Sequence, residues 1–387
     1  MIYLNWDVIV EIYSTTLTFF FFAIGFLLFF VSYKGKKAKN RYGAISTIIC
    51  GGFFLIFGFY NNIFGFFPYP FTGWMVWWIG IMLSINLIFA FLIHRAYTKI
   101  NDNKSANITP GNDKECDSFL VAYLKKRGAQ ESYRENISIK MESIRKSFHL
   151  AGLLMVLAYY GFFFIPPLTQ IVNDSIIVFI TDTEAVYTSL WGDLSRYPYT
   201  KNDFTAIIDI TMFALTGAMV FMIFSEVIRV LWGSEYSLFN LLTKAVLRYK
   251  EYNAAGPQVY LITGTVFTYL LYMIGLIPES ITFTGILVAC FSDAIAALVG
   301  RKYGKHKVKC IGGEMKTVEG FIAGTVLSFL IGLIFVGPFY ALVGALIFLI
   351  LDYFPLVVAD NILNPIFISI GIGIVYFFIG LPLGFVI

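Results

Sequence analysis

Long apolar runs recur along this chain and restrict it to very few architectures. Each run is long enough to cross a bilayer as a helix, because a span needs about 20 mainly apolar residues. Hydrophobic residues make up 58% of the 387 residues and charged residues only 13%, a composition typical of membrane proteins and not of soluble domains. We therefore predict an all-α, polytopic integral membrane protein with about ten transmembrane helices, at residues 13–33, 43–67, 71–94, 147–166, 205–231, 257–277, 280–300, 317–336, 337–352 and 366–386.

Three further segments are predicted to lie outside the spans. Residues 168–181 are apolar but short and interrupted by polar residues, which indicates an interfacial or re-entrant segment. Residues 118–144 and 236–251 carry apolar residues at helical spacing among charges, which predicts cytoplasmic amphipathic helices. The chain thus divides into an N-terminal three-helix membrane region (1–97), a polar insertion (98–144) and a second membrane region (145–387).

The basic residues between the spans predict the orientation of the protein. Cytoplasmic loops of membrane proteins are enriched in Lys and Arg. If the N-terminus lies outside, 26 of the 28 Lys and Arg residues fall in cytoplasmic segments. This asymmetry predicts the topology, with the cytoplasmic segments at 34–41, 95–146, 229–256 and 301–316.

The distribution of cysteine and histidine argues against two other classes of protein. The four cysteines have no paired spacing and the three histidines are scattered, so the sequence predicts neither a zinc site nor a disulfide framework. Asp7 and Glu11 stand where a cleavable signal would carry basic residues, and no such signal is expected.

Residues 285–324 join one apolar run to the next through a basic, glycine-containing loop. The glycines let backbone N–H groups approach an anion closely. The six cations of the loop suit phosphate, and Asp293 in the first run can hold Mg²⁺ that bridges phosphate oxygens. The alternative is a loop that only orients the protein, but an acid within a membrane span is costly and is more often functional.

With this orientation, six helix ends bring ionisable and amide groups to the cytoplasmic side. Each group has a structural explanation when it is considered alone: anchoring cations, a packing histidine, an i,i+3 ion pair or a helix break before proline. Their co-location instead favours one shared site. The groups are Arg145, Lys146 and His149; Glu226 and Arg229; Asn253, Gly256 and Pro257; Asp293; Lys316, Thr317 and Glu319; and Asp360 and Asn361.

In these residues the chain resembles the membrane-embedded dolichol/polyprenol kinase family, whose relatives include phytol kinases, CTP-dependent diacylglycerol kinases and phosphatidate cytidylyltransferases. The resemblance covers about residues 142–365. Two positions depart from the family pattern, with Ser292 in place of the usual Gly and Asp352 in place of the common Glu. The matching motifs are E-x-x-R-K-x-x-H from Glu142 to His149, E-x-x-R from Glu226 to Arg229, G-P-x-x-Y-L-x-x-G from Gly256 to Gly264, D-A-x-A-A-x-x-G-x-x-x-G-K-H from Asp293 to His306, K-T-x-E-G from Lys316 to Gly320 and D-N-x-x-x-P from Asp360 to Pro365.

The resemblance implies that region 145–387 is a catalytic kinase domain. It implies transfer of the γ-phosphoryl group of CTP to the hydroxyl of a polyprenol or dolichol, which yields the lipid monophosphate carrier for glycosylation. Mg²⁺ or another divalent cation is the expected cofactor, and no nucleic acid partner is expected. The alternatives are a phytol, geranylgeraniol or diacylglycerol kinase, a CTP:lipid-phosphate cytidylyltransferase, and a non-enzymatic lipid transporter. The scarcity of ionisable residues along the spans counts against the transporter.

The resemblance also implies roles for individual residues, in an active site on the cytoplasmic face of a plasma membrane or endoplasmic reticulum. Asp293 is the leading Mg²⁺ ligand, with Glu319 or Asp360 second. Either His149 or Glu226 takes the proton of the alcohol, and the sequence does not choose between them. Lys316 is expected to be catalytic. The residues expected to bind the nucleotide or its phosphates are Arg145, Lys146, Arg229, Arg301, Lys302, Gly304, Lys305, Lys316, Thr317, Gly320 and Asn361.

Overall fold

The computed structural model describes residues 6–68, 71–105, 143, 146, 149–172, 174–175, 178, 203–238, 253–310, 315–354 and 356–384. Arg145, most of the predicted amphipathic helix at 118–144 and residues 239–251 of the one predicted at 236–251 lie outside the described residues.

The described chain is all-helical apart from one short hairpin, as predicted. Ten of its helices have 15 or more residues, and each matches one of the ten apolar runs. They are α1 (Trp6–Lys37), α2 (Arg41–Phe64), α3 (Phe71–Ser105), α4 (Leu150–Phe164), α5 (Asp203–Trp232), α6 (Pro257–Met273), α7 (Glu279–Tyr303), α8 (Val318–Phe335), α9 (Gly337–Tyr353) and α10 (Asp360–Ile379).

Fewer of these helices are long enough to span a membrane than the sequence suggests. In the described part of the chain, seven pass by length and apolar composition, and eight if a bent pair is taken as one span. The shorter helices α4, α6 and α9 have 15, 17 and 17 residues. At 1.5 Å per residue they are about 22–26 Å long, which is less than the ~30 Å hydrocarbon core.

The segment that follows α4 turns sharply away from it. A short helical piece, Pro166–Val172, makes an angle of 100° with α4. The break falls at Ile165, which has extended dihedral angles of φ −110° and ψ 95°, because a residue before proline avoids the helical region. Such a bend is what an interfacial or re-entrant segment needs, and it covers the first part of the predicted segment 168–181.

Helix α7 occupies the centre of the second membrane region, where it packs against α4, α6, α8, α9 and α10. Small residues allow the closest of these approaches. A Cβ at Gly320 would lie 2.8 Å from the Ala296 carbonyl oxygen, and one at Gly300 would lie 2.7 Å from Thr317 Oγ1. The glycine spacing of α7 and α8 therefore lets the two backbones come together beside Asp293.

The basic loop after α7 contains two strands that the sequence did not predict. β1 (Lys307–Lys309) and β2 (Met315–Thr317) pair antiparallel, with Val308 opposite Lys316. Residues opposite each other in such a pair share one face. The hairpin leads directly into α8, because the Val318 N–H donates to the His306 carbonyl oxygen at 2.9 Å.

The N-terminal helices are joined to the second region by an aromatic core and by polar bonds. Phe21, Phe54, Phe57 and Phe66 form a buried edge-to-face cluster at α1 and α2. The ring of Phe267 in α6 extends this cluster into the second region, because its centroid lies 6.5 Å from that of Phe57. The indole N–H of Trp78 in α3 donates to the Gly217 carbonyl oxygen of α5 at 3.0 Å. Both membrane regions thus belong to one packed bundle.

Candidate active site

Lys316 lies in β2, and its ammonium group contacts the C-terminal end of α9. Its Nζ donates to Asp352 Oδ1 at 2.5 Å and to the Asp352 carbonyl oxygen at 2.9 Å. Burial alone would lower the pKa of Lys316, but the negative charges of Asp352, Asp360 and Asp293 together raise it above its ordinary value. One carboxylate therefore contacts this cation directly, and carboxylates on two other helices act on it electrostatically.

A second ammonium group reaches Asp293 from the residues that precede α4. Lys146 Nζ forms an ion pair with Asp293 Oδ2, and the Lys146 side chain is 5% exposed. His149, three residues later, is also buried. A Cβ at Gly152 would lie 2.4 Å from Cys290 Sγ. The start of α4, with Lys146 and His149, therefore packs against α7 about one turn before Asp293.

Helix α10 begins with two polar residues next to α6. Asp360 Oδ1 accepts a hydrogen bond from the Asn361 N–H at 2.9 Å, and within the described chain Asp360 forms no ion pair. Asn361 Nδ2 is 3.4 Å from the Pro257 carbonyl oxygen. Asn361 Oδ1 is buried and has no hydrogen-bond partner among the described residues. The start of α10 thus offers a carboxylate and a buried acceptor to a ligand.

The remaining cations of the predicted phosphate site form an exposed rim. Arg301 and Lys302 belong to the last turn of α7 and not to the loop, where positive charge complements the helix dipole. Lys305, Lys307 and Lys309 follow in the loop and in β1, and all three are exposed. The site therefore has an interior rich in carboxylates and a basic rim.

Thr317, Gly304 and Gly320 have contacts of their own. Thr317 is the N-cap of α8, and its Oγ1 accepts from the Gly320 N–H at 3.2 Å. The Gly304 N–H donates to the Gly300 carbonyl oxygen at 3.1 Å. A Cβ at Gly304 would lie 2.5 Å from Thr317 Cγ2. These contacts support capping and close packing, and phosphate binding by the three residues stays a prediction.

Glu319 contacts the turn that precedes the hairpin. Its Oε1 lies 2.7 Å from His306 Nδ1 and accepts from the His306 N–H at 3.2 Å. These bonds hold the first turn of α8 to the start of the hairpin. The role of Glu319 as a metal ligand also stays a prediction.

Glu226 and Arg229 form a buried ion pair at the C-terminal end of α5. Both are 2% exposed, and Arg229 Nη2 lies 2.6 Å from Glu226 Oε2. Arg229 Nη2 also donates to the Ala254 carbonyl oxygen, and Gln258 Nε2 donates to Glu226 Oε1 at 2.7 Å. The pair thus joins α5 to the residues that open α6. Both oxygens of Glu226 are used, which supports a structural role.

The donor set of the interior suits a divalent cation. The carboxylates of Asp293, Asp352 and Asp360 all raise the pKa of Lys316. Carboxylate oxygen is the donor that Mg²⁺ prefers. Among the described residues, no three side chains of His, Cys, Asp or Glu form a ready-made metal cage. Mg²⁺ commonly uses one or two carboxylates together with phosphate oxygens, so these residues fit a cation that arrives with a nucleotide.

Two members of this site were not among the predicted residues. Asp352 was recognised only as a departure from a family motif, although it is the direct partner of Lys316. Gln258 lies within the G-P-x-x-Y motif, but the sequence contains no signal that it binds Glu226. Of the predicted set, the structure brings Lys146, Asp293, Lys316 and Asp360 together.

The fold and the site define a multi-pass membrane protein with a charged site where several helices begin or end. No family model matches the chain, and no solved structure matches it. The chain is similar to CTP-dependent diacylglycerol kinase 1 of Saccharomyces cerevisiae, with 25% identity over 166 residues. The match covers 42% of this chain and 52% of the yeast protein, so the chain spans about half the length of that relative. The similarity is a distant homology to a CTP-dependent lipid kinase.

Proposed function

We propose that the protein is a CTP-dependent kinase that transfers the γ-phosphoryl group of CTP to the hydroxyl of a membrane lipid alcohol. The observation that carries the proposal is the environment of Lys316, which contacts Asp352 directly and is acted on electrostatically by Asp293 and Asp360, in a chain segment that also carries exposed lysines. Phosphoryl transfer requires positioning and charge neutralisation more than covalent chemistry by the protein. The Lys316 ammonium group and the exposed lysines can neutralise phosphate charge, and the carboxylates can position the metal that binds the phosphates.

The interior carboxylates have the chemistry to hold the metal of a metal–nucleotide complex. Asp293 and Asp360 are the proposed ligands, and Asp352 is added as a third candidate because it shares Lys316 with them. Bound Mg²⁺ would neutralise charge on the phosphate oxygens. Among the described cations, Lys316 and Lys146 are the two that contact these carboxylates, and both are proposed to face the phosphoryl group. Each is held in place by a carboxylate partner.

The rim is proposed to hold the rest of the triphosphate. Arg301 and Lys302 in the last turn of α7 and Lys305 in the loop after it are exposed and can reach outward to phosphate. His149 is the proposed general base, because it follows Lys146 by one turn and packs with α4 against α7. Glu226 is the weaker candidate, because Arg229 and Gln258 already bond both of its oxygens.

The proposed acceptor is a polyprenol of the dolichol class. Such an alcohol keeps its chain in the lipid and its hydroxyl near the interface, the depth at which the helix ends of this site are proposed to lie. The orientation proposed from the basic loops places this interface on the cytoplasmic side. Diacylglycerol is a second candidate acceptor, because the yeast relative is a diacylglycerol kinase by name.

A transfer assay with position-specific label tests the proposal. The purified protein is incubated with γ-labelled or α-labelled CTP and, in parallel, with dolichol, phytol or diacylglycerol. We expect γ label on dolichol. If only diacylglycerol receives the γ label, the proposed acceptor is wrong but the proposed kinase reaction stands. α label on a lipid phosphate would instead indicate a cytidylyltransferase, and no labelled lipid would refute the proposal.

Two variants test the site itself against a matched control. Asp293→Asn and Lys316→Ala should abolish transfer while the protein still inserts and purifies normally. Glu279→Gln is the control, because Glu279 is also an acid on α7 but lies at the other end, bonded to Tyr159 and Tyr272. Full activity in Asp293→Asn would remove Asp293 from the site.

A further inference from the structure

The N-terminal hairpin, defined as α1 and α2, contacts the candidate site at two places. The first is the opening loop, residues 253–256, which leads into α6. The second is Ala359, the residue before Asp360 at the start of α10. The family resemblance covers about residues 142–365 and leaves this hairpin without a role. Both contacts come from consecutive residues near the start of α2, Ser46 and Thr47.

Thr47 binds the opening loop. Its Oγ1 accepts a hydrogen bond from the Ala255 N–H at 3.1 Å and donates to the Gly43 carbonyl oxygen at 2.7 Å. Tyr260 OH, in the first turn of α6, lies 3.1 Å from the same Oγ1 and donates to the Gly43 carbonyl oxygen at 3.2 Å. Thr47 is fully buried. One hydroxyl therefore joins α2 to the backbone before α6 and to its first turn.

Ser46 binds the start of α10. Its Oγ accepts from the Ala359 N–H at 2.9 Å and donates to the Tyr42 carbonyl oxygen at 2.9 Å. Ser46 is fully buried as well. The N–H groups at the start of a helix have no partner within that helix, so this hydroxyl supplies one that the helix cannot. Asp360, a proposed metal ligand, is the next residue along the chain.

The surface of the hairpin is shaped to the opening loop. A Cβ at Gly43 would lie 2.4 Å from Ala254 Cβ, and a Cβ at Gly35 would lie 3.0 Å from the Asn253 carbonyl oxygen. A larger residue at Gly43 would push α2 away from the loop, and one at Gly35 would push the last turn of α1 away from it. Asn253 itself has a positive φ of 52°, a conformation that needs support from its surroundings. Close approach and hydrogen bonds therefore act at the same place.

We propose that Ser46 and Thr47 are positioning residues, which hold the opening loop and the start of α10 in register so that Asp360 and Asn361 face the nucleotide. The inference rests on the proposed function. It makes the N-terminal hairpin part of the catalytic unit and not an accessory. Across the same junction, the Asn361 side-chain amide lies near the Pro257 carbonyl oxygen, so a shift of either element would move both sides of the site.

The test compares Ser46→Ala and Thr47→Val with Ser32→Ala in the full chain. Ser32 is a matched control, because it is also a buried hydroxyl of the N-terminal hairpin. It donates to the Ala44 carbonyl oxygen at 2.7 Å, so its bond joins α1 to α2 and does not reach the site. Small displacements of catalytic groups can lower rates by about 100-fold. We expect Ser46→Ala and Thr47→Val to lower kcat by about 10- to 100-fold, and Ser32→Ala to leave it unchanged.

Two further measurements separate positioning from a general loss of stability. Ser46→Ala should raise the Mg²⁺ concentration needed for half-maximal rate, because Asp360 follows the contact that is lost. Thr47→Ser, which keeps the hydroxyl, should restore kcat. Wild-type kcat in both variants would refute the inference, and so would an equal loss in Ser32→Ala. Asp293→Asn is measured beside them: if it is inactive while Ser46→Ala and Thr47→Val are fully active, only this inference fails, whereas full activity in Asp293→Asn refutes the proposed site.

Discussion

The ion pair between Glu226 and Arg229 offers the sharpest test of how the charges of this protein divide between structure and chemistry. Both side chains are 2% exposed. Arg229 donates to Glu226 Oε2 through Nη2 at 2.6 Å and through Nε at 3.1 Å. We predict that Glu226→Ala destabilises the protein strongly, because it leaves the Arg229 guanidinium buried with its carboxylate partner removed.

The size of the effect follows from the burial of the pair. Removing one partner of a buried pair costs about 3–5 kcal/mol, because a charge is left uncompensated. In the double variant Glu226→Met with Arg229→Met, neither of the two positions carries a buried charge. Both variants lose the bond from Gln258 Nε2 to Glu226, so the double variant differs by also losing the bond to the Ala254 carbonyl oxygen, which costs about 1–3 kcal/mol. The double variant should therefore be more stable than Glu226→Ala, although it carries one more substitution.

Thermal unfolding in detergent and single-turnover transfer, measured on the same preparations, distinguish a structural role of Glu226 from a catalytic one. For a protein of this size we expect the melting temperature of Glu226→Ala to fall by about 4–6 °C. The double variant should recover part of that loss. Rates measured well below the melting temperature should fall much less than in Asp293→Asn. An unchanged melting temperature together with loss of transfer would refute the structural reading and make Glu226 the general base.

Three other predictions test the packing, the metal site and the orientation. Asp352→Asn should lower the rate by about 10- to 100-fold, with a higher Mg²⁺ requirement; an unchanged Mg²⁺ curve would show that Asp352 only holds Lys316. Gly320→Ala should destabilise the protein by about 1–3 kcal/mol, because the new Cβ would lie 2.8 Å from the Ala296 carbonyl oxygen. Gly52→Ala, with nothing within 4 Å, should be neutral or stabilising in the same unfolding assay. A cysteine placed at Lys305 should react with a membrane-impermeant maleimide only from the cytoplasmic side, and labelling from outside would overturn the orientation.

The helices could be predicted from the sequence because apolar length is a local property. Each of the ten apolar runs coincides with a helix in the described residues, and α7 differs from its predicted range by only a few residues at each end. The number of spans was harder to predict, because mean apolarity does not show where a helix stops. Helix α4 ends where Pro166 follows, and α6 has 17 residues. These ends depend on turns whose geometry is set by tertiary packing.

The sequence did not show which acidic and basic side chains of the site form ion pairs with each other. Lys316 was predicted as a phosphate ligand, but its partner Asp352 is 36 residues away at the far end of another helix. The pairing of Lys146 with Asp293 spans 147 residues. Motifs identify which residue types are needed, whereas contacts between helices decide which opposite charges meet. The contribution of α2 was hidden for the same reason, because Ser46 and Thr47 look like ordinary small residues in a membrane helix.

The charges around Lys316 also indicate how a nucleotide would enter. Among the described side chains, the interior holds three carboxylates, Asp293, Asp352 and Asp360, against two ammonium groups, Lys146 and Lys316. These five described groups together carry a net negative charge, which repels a metal-free triphosphate and attracts a divalent cation. The exposed rim has the opposite sign. A metal–nucleotide complex that enters with its metal toward the carboxylates and its outer phosphates toward the rim satisfies both regions, whereas the reverse orientation places like charges together at each of them.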